Sequence, residues 1–245
     1  LYYLNLANPK NDTNRGRTLK IAEYLVGENP AGFEPNYDST HRVFRSSYFG
    51  TNGPAYEKFR HPIARQNWMT SYGLAFHDVR GVATLLDLDA PDNARRYGEA
   101  YGQRMAHADT VTNLLSTSLA LNAYLYTGDE RYREWILDYT DGWRARCADN
   151  EGIMPDNAGP HGIVGETMDG RWYGGHYGWV FPHGFQFIAD AMIVAGENER
   201  LLTGKRGRLD WVRDQFTTLS AYAVTREDGV VLLPQKHTDS DAVLE

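Results

Sequence analysis

Cysteine is almost missing from this chain: Cys147 is the one thiol in 245 residues. A lone thiol makes no internal disulfide and no cysteine-built zinc site, and at the end of a helical stretch it reads as a small apolar filler. Long apolar runs are missing too. No stretch approaches the roughly 18 consecutive apolar residues of a membrane-spanning helix, and the opening LYYLNLANPKNDTN lacks the charged, apolar and cleavage regions of a signal peptide. Basic charge is in deficit, with Lys+Arg 25 against Asp+Glu 32 and a net charge of −7. Without clustered Lys and Arg there is no counterion-releasing footprint for nucleic acid, so neither nucleic acid nor membrane is an expected partner.

What is present is core material, 42% hydrophobic and 13% aromatic residues, enough for a single domain over residues 1–245. Apolar residues at helical spacing predict helices over 17–26, 66–86, 93–106, 110–126, 130–146, 185–202 and 209–222, with Asp109 as a helix cap and a short strand or extended arm at Gly229 to Leu233. Thr127-Gly128-Asp129 and Thr203-Gly204-Lys205 close one helix and open the next, a weak repeat signature. The fold class expected is all-α, antiparallel helical hairpins with little sheet. If every helix reverses direction, the loops 28–65 and 147–184 emerge at one end and touch, while only tight turns occupy the other.

The stretch that carries function is Asn150 to Gly184, NEGIMPDNAGPHGIVGETMDGRWYGGHYGWVFPHG. It has no helical or strand period, yet it gathers carboxylates (Asp156, Glu166, Asp169), flat rings (Trp172, Tyr173, Tyr177, Trp179) and imidazoles (His161, His176, His183) among glycines. Loops of this length in a compact domain are functional or disordered, and the aromatic content argues against disorder. The bland alternative is a cap whose rings pack on the helices below.

Three segments, PNYDSTHRVFRS (35–46), TGDERYREWILDYTDGW (127–143) and the central loop from Gly152 to Gly184 with its WYGG-x-YGW-x-x-PHG run, resemble bacterial carbohydrate-active proteins built on an (α/α)6 toroid. The nearest in kind are β-glucuronidase-type glycoside hydrolases, and uronic-acid polysaccharide lyases share the architecture. The resemblance implies a toroid that is incomplete here, since seven helices are too few, and hence a piece of a larger chain or a truncated version of the fold. It also implies a secreted or periplasmic enzyme acting on uronic-acid glycans.

Most glycosidases need two carboxyl groups, one protonated to meet the leaving oxygen and one ionised. Glu166, among small and apolar neighbours, is the expected general acid, and Asp156 its partner, although the PDN context equally suits an Asx turn. Asp169 reads as a turn former, and Asp78 beside His77 as a structural pair on a helix. Arg42, Arg45 and His41 of the first loop are expected to meet His176 and His183 near the substrate carboxylate, with at least one arginine bracing the loops instead. About half of Trp172, Tyr173, Tyr177 and Trp179 are expected to stack sugars. The alternative chemistry is β-elimination by a lyase, in which Tyr177, His176, His183 and Asn113 abstract the proton beside the uronate carboxylate and neutralise its charge. A non-catalytic glycan binder is the remaining alternative. No cofactor is expected, and no metal, because the three loop histidines lack an HExxH-type spacing.

Overall fold

The computed structural model describes residues 7–27, 32–58, 62–67, 69–237 and 242–244. Among these residues the chain is mostly α, with seven α-helices: α1 (Asp12–Val26), α2 (Met69–Tyr72), α3 (Pro91–Tyr101), α4 (Thr117–Thr127), α5 (Glu130–Asp149), α6 (Phe185–Thr203) and α7 (Asp210–Ser220). Sheet is confined to short antiparallel pairs, β1 (Tyr37–Asp38) with β2 (Val43–Phe44), β3 (Asp109–Thr110) with β4 (Asn157–Ala158), β5 (Val224–Thr225) with β6 (Val231–Leu232), and β7 (Pro234–His237) with β8 (Ala242–Leu244).

The helix ends follow local chemistry. Asn11 and Asp129 cap α1 and α5 by accepting the N–H of Asn14 and of Arg131 at 2.9 and 3.0 Å. Gly128 and Gly204 take the left-handed conformation, φ 66° and 68°, and return their N–H groups to Tyr124 and Arg200, which is the Thr-Gly punctuation read from sequence. Along α5, Tyr132, Trp135, Ile136, Tyr139, Trp143 and Cys147 fall on one buried stripe.

Two expectations fail. The helix over 66–86 is reduced to the single turn of α2, because Gly73 and Gly81 adopt φ 79° and 82° and end any regular run. The segment forecast as helix from residue 110 starts as strand β3, passes through a 3₁₀ turn at Val111–Ser116, and becomes α-helical only at Thr117. Asp109 is therefore a strand residue and not a helix cap. Residues 28–31, 59–61 and 68, parts of the expected first loop and second helix, lie outside the described residues.

The interior divides into two hydrophobic clusters. The larger joins α1, β2, α4, α5, α6 and α7 with Met154, Ala158 and Trp179 of the central loop. The smaller is built from Ile63, Met69, Leu74, Phe76, Val82, Leu88 and the α3 tyrosines Tyr97 and Tyr101, and it receives Phe181 from the same central loop.

The two long loops do meet, through a contact that helix parity does not supply. Arg146, near the end of α5, donates to the carbonyls of His41 (2.6 Å), Arg42 (3.2 Å) and Gly162 (2.9 Å). The His41 and His161 rings then pack edge to face, 5.6 Å apart.

Candidate functional site

The central loop is organised by a carboxylate. Asp156 is wholly buried and accepts hydrogen bonds from the backbone N–H groups of Gly174, Gly175 and Trp179 and from the Asn157 side chain, at 2.8 to 2.9 Å. These donors fill its lone pairs, so Asp156 is neither a catalytic partner nor a local Asx-turn residue: it fastens the loop across 18 to 23 residues of sequence. Pairing of β3 with β4 brings Thr110 beside Asn157, and the Thr110 hydroxyl donates to the carbonyl of His176 at 2.9 Å.

The result is a cleft of about 770 Å³ that borders the smaller hydrophobic cluster through Met105 and Phe181. Its polar wall comprises Asn113, His176, Tyr177, His183, Tyr48 and Tyr72, with Ser47, Thr110 and Thr112. Its apolar wall comprises Met105, Leu115, Phe181, Pro182 and Phe187. No carboxylate occurs among these lining residues. Asn113 is oriented by Asp109, whose Oδ1 accepts its Nδ2–H at 2.8 Å, leaving the second amide N–H of Asn113 unused by that bond. Tyr177 holds a left-handed backbone, φ 54°, a strained state for a bulky residue of the kind that gathers at functional sites. Burial pushes the pKa of His176 down to about 4, keeping the ring neutral, and its Nδ1 is enclosed without a hydrogen-bond partner among the described residues. Burial raises the Tyr48 hydroxyl well above its usual range, and Tyr177 adds to the effect.

Behind Asn113 lies Asp109. It also accepts from the backbone N–H of Phe44 (3.0 Å) and from the Tyr139 hydroxyl (2.9 Å). Burial raises its pKa to about 6 against these donors. With an exposure of 1%, Asp109 supports the cleft and does not line it.

The remaining candidates separate from this group. His41 bonds Asp38 through Nδ1 at 3.0 Å, Arg45 pairs with Asp38 at 3.2 Å and Glu34 at 3.5 Å, and Arg42 pairs with Asp138 of α5 at 2.8 Å. His41, Arg42 and Arg45 of the first loop therefore hold it to its surroundings and do not line the cleft with His176 and His183. Glu166 is bonded by the ring and the backbone N–H of His161 and is not among the cleft residues. Trp179 is core, its indole N–H donating to Met154 at 2.7 Å, and Trp172 stacks on His237 with ring centroids 5.0 Å apart. Asp169 is an exposed turn residue, φ 55°, as expected. Asp78 is in no helix: burial works to raise its pKa, and the bonds from Arg104 and Arg171 overcome it, holding the carboxylate well below the usual range.

Tyr173 lines a second cleft of about 550 Å³ together with Phe76, His77, Asp78, Arg171 and Lys236. Among the described residues there is no group of three or more His, Cys, Asp or Glu side chains suited to a metal ion, and no helix long and apolar enough to cross a membrane. Sequence reasoning missed Tyr48 and Tyr72, which come from segments without any motif.

Fold and site together define a mostly helical protein with a cleft of tyrosine, histidine and amide groups. The chain belongs to the family described as Domain of unknown function (DUF8034), whose model matches residues 1–243. No curated protein and no solved structure matches it.

Proposed function

We propose that this protein is a carbohydrate-active enzyme that cleaves uronic-acid polysaccharides by β-elimination, on helical hairpins of an (α/α)6-type toroid, outside the cytoplasm. The observation that carries the reading is the content of the larger cleft: Asn113, His176, Tyr177 and His183 converge there with Tyr48 and Tyr72, and no lining residue is a carboxylate. Hydrolysis through Glu166 and Asp156 is not favoured, because Asp156 is enclosed and Glu166 is held by His161 away from this cleft.

In the proposed reaction the amide of Asn113 and the neutral imidazole of His176 hydrogen-bond the uronate carboxylate and stabilise the negative charge that develops there. The Tyr177 oxygen, acting in its ionised phenolate form, takes the proton from C5 and becomes the phenol. The C5–H electrons form the C4=C5 double bond, the C4–O bond breaks, and its electrons leave with the oxygen. Tyr48, kept protonated by burial, supplies the proton that oxygen needs. His183, edge to face with Tyr72 at 5.7 Å, walls the sugar.

The test is incubation with galacturonate, mannuronate and glucuronate polymers while following ultraviolet absorbance and new reducing ends. Elimination gives both signals together. Reducing ends without absorbance, abolished by Glu166→Gln, would establish hydrolysis and sink the reading. Binding with neither signal would leave a glycan-binding protein.

A further inference from the structure

The second cleft, of about 550 Å³, has no part in the chemistry above, yet it shares a wall with the first. Tyr173, Gly174 and Val180 line it, whereas His176, Tyr177 and Phe181 line the larger cleft, so one loop fastened by Asp156 forms a side of both. Among the described residues its charge is opposite to that of the chain. Asp78 receives two bonds from Arg104, at 2.7 and 2.8 Å, and one from Arg171. Asp169 reaches the same two guanidinium groups only at 3.9 and 4.0 Å, with its side chain 86% exposed. The Lys236 side chain adds a third cation, with no hydrogen bond or ion pair of its own among the described residues. Among the described residues the lining cations Arg171 and Lys236 outnumber the lining carboxylate Asp78, in a protein of net charge −7. The ring of Tyr173, braced edge-on by Trp172 and His237 at 5.0 and 4.4 Å, supplies a flat wall of the kind that receives a sugar face.

We propose that this cleft is a separate subsite for an anionic sugar, in which Lys236 and Arg171 meet a carboxylate or sulfate ester and Tyr173 meets the ring. It rests on the reading above only in taking the ligand to be a glycan. Neutral oligosaccharides lack the group that Lys236 would pair with, so the site discriminates by charge.

Arg171 also holds Asp78, so its removal confounds binding with folding, and Lys236 is the position to change. Titration calorimetry on the Tyr177→Phe protein would use tetrasaccharides of galacturonate and mannuronate, their carboxyl-reduced forms, and a sulfated galactose tetrasaccharide. Binding of at least one anionic probe and of no reduced one is expected. Adding Lys236→Gln should weaken that binding roughly 10-fold, and Lys236→Arg should retain most of it, with unchanged melting temperatures. The probe whose affinity depends on Lys236 distinguishes carboxylate from sulfate. Lys236-dependent binding without any elimination activity would support the subsite while removing the lyase reading. Unchanged affinity in Lys236→Gln, or no binding of any probe, would overturn the subsite, and elimination by the wild type would then stand on its own.

Discussion

The carboxylate of Asp156 lies 2.8 Å from the amide nitrogen of Trp179, 23 residues further along the chain, and no space separates it from the backbone it holds. A Cβ on Gly178 would sit 2.1 Å from its Oδ2. Asp156→Ala, which strips the N–H groups of Gly174, Gly175 and Trp179 of their acceptor at once, should cost at least about 3 kcal/mol in urea unfolding. Gly178→Ala, pushing on the same carboxylate from outside, should cost roughly 1–3 kcal/mol. Wild-type midpoints in both variants would show that the loop is held by something else.

Arg146 ties two loops through three carbonyls, so its loss should be read locally as well as globally. Arg146→Ala should lower stability by about 2–4 kcal/mol and speed amide hydrogen exchange around residues 38–45 and 159–166. Exchange rates that change only in α5 would refute the bridge.

Two buried titrating groups oppose each other. Asp109 has a folded pKa of about 6, raised above 3.8, so its contribution to stability is full below 3.8 and is lost as pH rises through 6. His176, lowered to about 4 from 6.5, contributes stability that is full above 6.5 and is lost as pH falls through 4. Each amounts to about 3 kcal/mol, and between pH 4 and 6 they offset. Asp109→Asn should therefore make stability climb with pH across that interval, and His176→Gln should make it fall. Parallel profiles for wild type and both variants would contradict these assignments.

If elimination is the reaction, Tyr177→Phe should lower kcat by about 10²–10⁴ with little change in KM, because proton transfer is a transition-state term. Tyr48→Phe, which removes the proton donor to the leaving oxygen, should likewise lower kcat, and Asn113→Ala should lower kcat/KM. A Tyr177→Phe enzyme with wild-type kcat would remove Tyr177 from the mechanism.

Much of the scaffold was legible because α1, α3, α5, α6 and α7 carry sustained apolar stripes and explicit stops such as Gly128 and Gly204. Over 66–86 the apolar residues Met69, Leu74, Ala75, Phe76 and Val82 satisfy a loose helical spacing, but Gly73 and Gly81 decide the matter by their positive φ. Among the residues that line the larger cleft, residue type singled out Asn113, His176, Tyr177 and His183. It could not identify which carboxylate is enclosed: the distant amides of Gly174, Gly175 and Trp179 determine what Asp156 does, and no spacing around Pro155 and Asn157 encodes them. Tyr48 and Tyr72 were illegible for a similar reason, since tertiary approach alone makes them cleft residues.

Phe181 belongs to the smaller hydrophobic cluster, whereas Trp179, two residues before it, belongs to the larger. A stretch that seems to be mere connection is thereby the mortar between two bodies of core, and neither can loosen fully while the other holds it. Proteases enter most proteins through long loops of this sort. Here cleavage between Trp172 and Pro182 must wait for both clusters to give way together, so its rate measures the opening of the whole molecule.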